Sequence, residues 1–341
     1  MIGLGLTVGG VIAAEVGLRV FFGLGRPMLF VTDPQIEYMS GPGSYSRFGN
    51  TITINSRHMR ATPESNLTRA ASSQRRVLVL GDSIIHGGNQ TDDRDLATVL
   101  LELMLPTGQT TDGSPGQPAV LNVSCGSWGP GNVLAYVKHF GTFDCDTAVI
   151  VLNSWDYGDV PSFTPLSPEM PSEAPGLALI EIKRNYGPRY APWIFGRPTW
   201  GPEVASAAGI SEAEPTEELG AQSLASLREL IALLRSKNLK VAAVLHPFRR
   251  ELIGGIFDMG RGKLTAELVA SNVPILTTDG PIKHMIDLAA SPKAGKSPLP
   301  AGVKLTDPYR DDIHLTAAGQ WVLAGVLKDA SAAATGGTPS Q

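Results

Sequence analysis

What this chain has little of narrows its class before any motif is read. Of 341 residues only two are cysteine, Cys125 and Cys145, too few for a disulfide framework. Lysine and arginine (28) fall short of aspartate and glutamate (32) and form no runs, so a net charge of −4 leaves no footprint for nucleic acid. No Cys/His pair has zinc-type spacing, and Asp311, Asp312 and His314 have no second ligand cluster to complete a metal site. Neither metal nor cofactor is expected. Charged residues make up 18% of the chain against 43% hydrophobic ones, which excludes a disordered polypeptide and suits a globular protein with a full core.

Long apolar runs are missing too, and the nearest approach is N-terminal. Residues 2–14 carry no charge, and after Glu15 and Arg19 the apolar character resumes with Val20, Phe21 and Phe22. This falls short of the roughly 20 apolar residues of a spanning helix unless Glu15 and Arg19, one turn apart, lie at the interface. No basic stretch precedes it as in a signal peptide. Residues 1–31 read as a membrane anchor, with a helix packed on the domain or a processed signal as alternatives. The basic residues that follow favour, on charge alone, a cytoplasmic body.

Residues 32–75 read as a connector with a short hairpin over the sheet edge, carried by the alternating Thr51–Asn55. From Arg76 onward, strands alternate with helices. Apolar strands are expected over 77–81, 119–123, 147–152, 240–245 and 273–276. Helices are expected after Asp95 as N-cap, up to Phe140, along Leu224, Leu227, Ile231 and Leu234, over 281–289, and after Thr316 as N-cap. Such alternation predicts a three-layer α/β/α sheet of about five parallel strands over 76–330. The second strand ends before Cys125 and the third begins after Cys145, so the thiols lie about a strand length (~17 Å) apart and stay free. A proline-rich insertion, 157–218, holds Phe163, Tyr186, Tyr190, Trp193, Phe195 and Trp200, and is either a lid or a cover for the sheet. The tail from Ser331 is expected to be disordered.

The chemistry is concentrated in Arg76-Val77-Leu78-Val79-Leu80-Gly81-Asp82-Ser83, an apolar strand running into a tight turn that presents a hydroxyl beyond the strand's carboxyl end. By itself Gly-Asp-Ser is either a nucleophile or an ordinary turn capping the next helix. A serine needs a base, and the base an orienting group; Asp311 and His314, three residues apart, supply both. Oxyanion donors are expected from the Ser83 amide and from groups at neighbouring strand ends, where Gly126 and Asn153 stand.

These blocks together resemble the SGNH or GDSL hydrolase superfamily: Gly81-Asp82-Ser83, a glycine after the second strand, a polar residue before Asp156 after the third, and Asp311-x-x-His314. The resemblance covers 76–329 and implies a flavodoxin-like fold and an esterase or acyltransferase mechanism. Ser83 would be the nucleophile, His314 the base and then acid, Asp311 its orienter, and Ser83 with Gly126 the amide oxyanion donors; Gly129 also qualifies for the second block. The family's third donor is the Asn of Gly-x-Asn-Asp, whereas this chain reads Asn153-Ser154-Trp155-Asp156, leaving Asn153 or Trp155. Glu15, Arg19, Gly25-Arg26-Pro27, Arg47-Phe48-Gly49-Asn50 and Asn55-Ser56 resemble the lead-in of membrane-anchored bacterial members that modify exported polysaccharides. That implies an extracytoplasmic domain and an acylated carbohydrate or other small ester as substrate.

Substrate contacts are expected from His246, Trp193 and Trp200, with a structural His246 as the alternative. His86 is expected to pack beneath the nucleophile turn, and His58, His139 and His284 to lie on the surface. The function expected is a serine esterase removing O-acyl, above all O-acetyl, groups from a carbohydrate. The other expectations are an O-acyltransferase on an exported polysaccharide, or a catalytically silent glycan-binding membrane protein.

Overall fold

A computed structural model describes residues 2–70, 74–109, 115–167, 169–186, 215–290, 299–300 and 303–337. The chain opens with helix α1 (Ile2–Phe22) and two hairpins, β1 (Phe30–Asp33) with β2 (Glu37–Ser40), and β3 (Gly43–Arg47) with β4 (Asn50–Ile54). Strand β5 (Arg76–Gly81) leads into the single turn α2 (Ser83–His86), and α3 (Ala97–Met104) follows. A two-residue pair, β6 (Gly108–Gln109) and β7 (Pro115–Gly116), precedes β8 (Ala119–Ser124), α4 (Pro130–Phe140), β9 (Thr147–Leu152) and α5 (Ala178–Glu181). The C-terminal half runs α6 (Glu217–Ser236), β10 (Lys240–Leu245), α7 (Arg249–Gly254), α8 (Met259–Ala270), β11 (Ile275–Thr277), α9 (Asp279–Ala290) and α10 (Ala317–Ala333).

The main sheet is five-stranded and parallel throughout, in the order β11-β10-β9-β5-β8. β5, β8 and β9 are buried on both faces, as their unbroken apolar runs require. Alternation then sorts their side chains into two cores. Leu78, Leu80, Leu121, Val123, Ile150 and Leu152 pack with Val133 and Val137 of α4 and Leu227, Ile231 and Leu234 of α6. Val77, Val79, Val149 and Val151 pack with Leu101 of α3 and Leu323 and Leu327 of α10. The result is the three-layer α/β/α sandwich that the sequence led us to expect. Its order reverses beside β5, because the chain runs to the β8 edge and returns to β9. Ligands of such sheets bind beyond the strand ends at the reversal, which is where Ser83 lies.

Some local expectations give way. Asp95 is not the cap of α3: a 3-10 turn, Asp93–Asp95, precedes it, with the Asp92 side chain accepting from the Arg94 amide. The last helix runs past the expected start of the tail and buries Ser331, whose hydroxyl donates to the Lys328 carbonyl. Between β1 and β4 there are two hairpins rather than one, and Phe30, Ile36, Met39, Ile52 and Ile54 from them join the core that holds Leu78 and Leu80. The segment after β4 guards the β8 edge, whose Asn122 amide donates to Thr62 Oγ1 at 3.0 Å.

Among the described residues no helix is long and apolar enough to cross a membrane. α1 is seated at its C-terminal end: Arg19 Nε donates to Glu15 at 2.6 Å, and Glu15 accepts from the Ala178 and Leu179 amides of α5. Beneath it the Arg47 guanidinium pairs with Glu181 in a buried salt bridge. Cys125 and Cys145 are free and buried, and burial pushes their thiols up to about 11 and about 12.

Candidate active site

The nucleophile turn is built by capping. Asp82 is the N-cap of α2, its Oδ1 accepting from the Ile84 amide at 2.8 Å, so Ser83 becomes the first helical residue at the end of β5. Gly87 closes the turn in the left-handed region at φ 73°, where a Cβ would lie 2.5 Å from Leu96. His86 packs beneath, buried and neutral, burial first and then Arg60 holding its ring down at about 3; its Nε2 meets Ser40 Oγ at 3.0 Å.

The partners come from the loop before α10. His314 Nε2 lies 3.0 Å from Ser83 Oγ, and His314 Nδ1 lies 2.8 Å from Asp311 Oδ2. This is a Ser–His–Asp triad. Partial burial alone would raise the Asp311 carboxyl, but the His314 ring and the His314 and Ile313 amides all donate to it and hold it well below its ordinary value. With Asp311 ionised against Nδ1–H, Nε2 is left as the acceptor for the Ser83 hydroxyl. A further tie comes from Asp312, which accepts from the Arg249 and Arg250 amides at the start of α7 and pairs with the Arg250 guanidinium.

Gly81 pairs with Ser124 across β5 and β8, so Ser83 and Gly126 stand two residues beyond a matched pair. Among the described residues neither amide donates to a backbone carbonyl in a turn or loop, and the Gly126 amide is turned toward the Cys125 sulfur beside it. The Gly129 amide is used otherwise: it donates to Asn132 Oδ1 at 3.0 Å and caps α4, and a Cβ at Gly129 would lie 2.2 Å from the Asp159 carbonyl oxygen.

Of the two candidates for a third donor, Asn153 is committed elsewhere. Asn153 Nδ2 donates to Asp82 Oδ2 at 2.9 Å and to Asp156 Oδ2 at 3.0 Å, which commits both its hydrogens. The Trp155 ring lies 47% exposed against Phe248, with ring centroids 4.5 Å apart and Arg250 above it. The Asn153 pattern was not expected because a run of Asn153-Ser154-Trp155-Asp156 does not reveal that its asparagine bridges two buried acids.

Those acids form a cluster behind the nucleophile. Burial raises Asp82 to about 6, against donors at Ile84 and Asn153 and the nearby His314. Asp156 rises well above its ordinary value through burial and the charge of Asp82. Asp159 rises to about 8 through burial and the charges of Asp82 and Glu37.

Other expectations change. His246 is not a substrate contact: it is fully buried, its Nδ1 meets Thr278 Oγ1 at 2.9 Å and its Nε2 meets the Ile313 carbonyl at 3.3 Å, which supports the His314 loop from below. His58 is not free on the surface, since its Nδ1 donates to the Ser40 carbonyl at 2.8 Å. His139 and His284 are exposed. Trp193 and Trp200 lie outside the described residues. Among the described residues no cluster of His, Cys, Asp and Glu could hold a metal.

No family profile and no curated protein matches the chain. Solved structures similar to it include a lipolytic protein of the G-D-S-L family from Desulfitobacterium hafniense, at 8% identity and a TM-score of 0.39 over 75% of this chain and 98% of that one. Another is a psychrotrophic esterase from Pseudoalteromonas sp., at 11% identity and a TM-score of 0.37 over 75% and 96%. A third is an acetyl xylan esterase from the rumen bacterium Butyrivibrio proteoclasticus, at 12% and 0.30 over 61% and 55%. At such identities and scores the likeness carries no argument about activity, which rests on the triad.

Proposed function

We propose that this protein is a serine hydrolase of the SGNH or GDSL type that cleaves an O-acyl ester through an acyl-enzyme on Ser83. The observation that carries this reading is the continuous chain of contacts from Ser83 Oγ to His314 Nε2 and from His314 Nδ1 to Asp311. His314 takes the Ser83 proton as Oγ attacks the acyl carbonyl, and the new oxyanion faces the Ser83 and Gly126 amides. The same Nε2–H then protonates the leaving alcohol oxygen. Water, deprotonated by His314, attacks the acyl-enzyme and returns Ser83 and the free acid.

An O-acetylated carbohydrate is the substrate class we favour, supported by the exposed Trp155 face beside the nucleophile strand. Hydrolysis is preferred to transfer because the His314 side chain is 38% exposed, so water reaches the base directly. We also place the protein at a membrane surface with its catalytic domain outside the cytoplasm. Supporting the membrane contact are the apolar side chains that α1 leaves exposed, Val8, Val11, Ile12, Val16, Val20 and Phe21.

The test is turnover of p-nitrophenyl acetate by the full chain and by Ser83→Ala, with fluorophosphonate labelling of both. Ser83-dependent turnover and labelling are expected; their absence leaves only a silent binding protein. Mass analysis of an acetylated oligosaccharide after incubation separates loss of acetate from its transfer to a second sugar.

A further inference from the structure

The oxyanion loop is held by the N-terminal hairpin. Residues 125–128 turn sharply after β8, and Ser127 sits in the left-handed region at φ 55°, which is strained for a non-glycine residue and persists only where the surroundings hold it. The holder is β2. The one Tyr38 Oη hydrogen is shared between the Gly126 carbonyl at 2.9 Å and the Ser127 carbonyl at 3.1 Å, while the Tyr38 carbonyl accepts from Trp128 Nε1 at 2.9 Å. Two residues on, Ser40 Oγ lies 3.5 Å from Cys125 Sγ and 3.0 Å from His86 Nε2, joining the loop to the nucleophile turn. One residue back, Glu37 accepts from Asn132 Nδ2 at 2.9 Å and from Ser162 and Phe163 at the start of the insertion.

From this we infer that Tyr38 is a positioning residue for the oxyanion hole: its phenol fixes the two carbonyls that follow the Gly126 amide and thereby aims that amide at the developing oxyanion. The inference rests on the serine hydrolase reading. Tyr38 does not touch the reacting atoms. It works by fixing both peptide planes on the C-terminal side of Gly126, while pairing of Ser124 with Gly81 fixes the strand before it. A donor misaligned in this way loses transition-state binding and little ground-state binding, so the loss falls on kcat.

The experiment compares Tyr38→Phe with Tyr45→Phe in the full chain. Each removes one phenol hydroxyl from an N-terminal hairpin, but Tyr45 Oη donates only to the Gly41 and Pro42 carbonyls, away from the loop. Removing a whole oxyanion donor costs about 10²–10³ in kcat, and misaligning one should cost about 10-fold. Tyr38→Phe is expected to lower kcat about 10-fold with KM within about 2-fold, the pH profile unmoved and the active-site titre by fluorophosphonate intact. Tyr45→Phe is expected to keep wild-type kcat whatever its effect on melting temperature. Equal kcat in the two variants, or a Tyr38→Phe loss that vanishes after correction for titre, overturns the positioning role while leaving the hydrolase reading standing. If wild type lacks Ser83-dependent turnover, both readings fall.

Discussion

Asp311 is the acid of the triad and Asp82 is the residue before its serine, yet their surroundings drive them in opposite directions. Asp311 is 52% exposed and accepts three N–H groups, so it stays ionised far into acid. Asp82 is buried, and burial lifts it to about 6 despite the Ile84 and Asn153 donors and the nearby His314. The difference teaches that a carboxylate is held ionised by the N–H groups aimed at it, and that closeness to a catalytic histidine does not by itself decide its state. One group is placed to balance an imidazolium; the other is placed to shape the turn on which the nucleophile sits.

Removing the ionised partner has the largest expected effect. Asp311→Asn keeps the size of the side chain but loses the charge that fixes the His314 tautomer, so kcat for p-nitrophenyl acetate should fall about 10³–10⁴-fold. Because Asp311 is half exposed, the melting temperature should move little. A variant with near wild-type kcat would show that the buried acids, not Asp311, support the imidazolium.

The raised side of the comparison is read through pH. The Asp159 carboxyl, near 8 in the folded protein and ordinarily 3.8, keeps a proton that the unfolded chain releases. Its contribution is therefore complete below pH 3.8 and is lost as pH rises through 8, in the same direction as Asp82 with its smaller rise. From pH 6 to pH 9 wild type should lose about 3 kcal/mol more stability than Asp159→Asn, a difference that urea titration at the two pH values measures. Identical pH slopes would mean that the Asp159 carboxyl is ionised at neutral pH.

Asn153 joins the two sides, since it donates to Asp82 and Asp156 together. Asn153→Ala should cost about 2 kcal/mol of stability by leaving both buried acids a donor short, with kcat changed less than about 10-fold. A kcat loss of 10²-fold or more in a stable variant would restore Asn153 as an oxyanion donor and refute its bridging role.

Much of this was legible in the sequence. Runs such as Thr147–Leu152 and Lys240–Leu245 give strands with the expected bounds, because burial on both faces favours apolar residues along nearly all of their length. Asp311 and His314 were readable because a base and its orienter fit within one turn. Tyr38 was not: it acts on a loop 88 residues away through its hydroxyl, and nothing in Glu37-Tyr38-Met39-Ser40 marks a strand that crosses under the active edge. His246 misled because its place at a strand end is the same whether its ring faces substrate or, as found, Thr278 and the Ile313 carbonyl.

The smallest effect is expected at the rim, where Trp155 follows Asn153 by two residues but faces outward onto Phe248. If the exposed indole is a platform for a sugar ring, Trp155→Ala forfeits a stacking contact of about 0.5–1.5 kcal/mol, and KM for an acetylated oligosaccharide should rise about 2- to 10-fold. The kcat for p-nitrophenyl acetate should stay as it is, because the acyl chemistry sits on the Gly126 side of Ser83. A fall in kcat on both substrates at unchanged KM would move Trp155 from the substrate's sugar to its oxyanion, and would return to this chain the third donor that Asn153 does not supply.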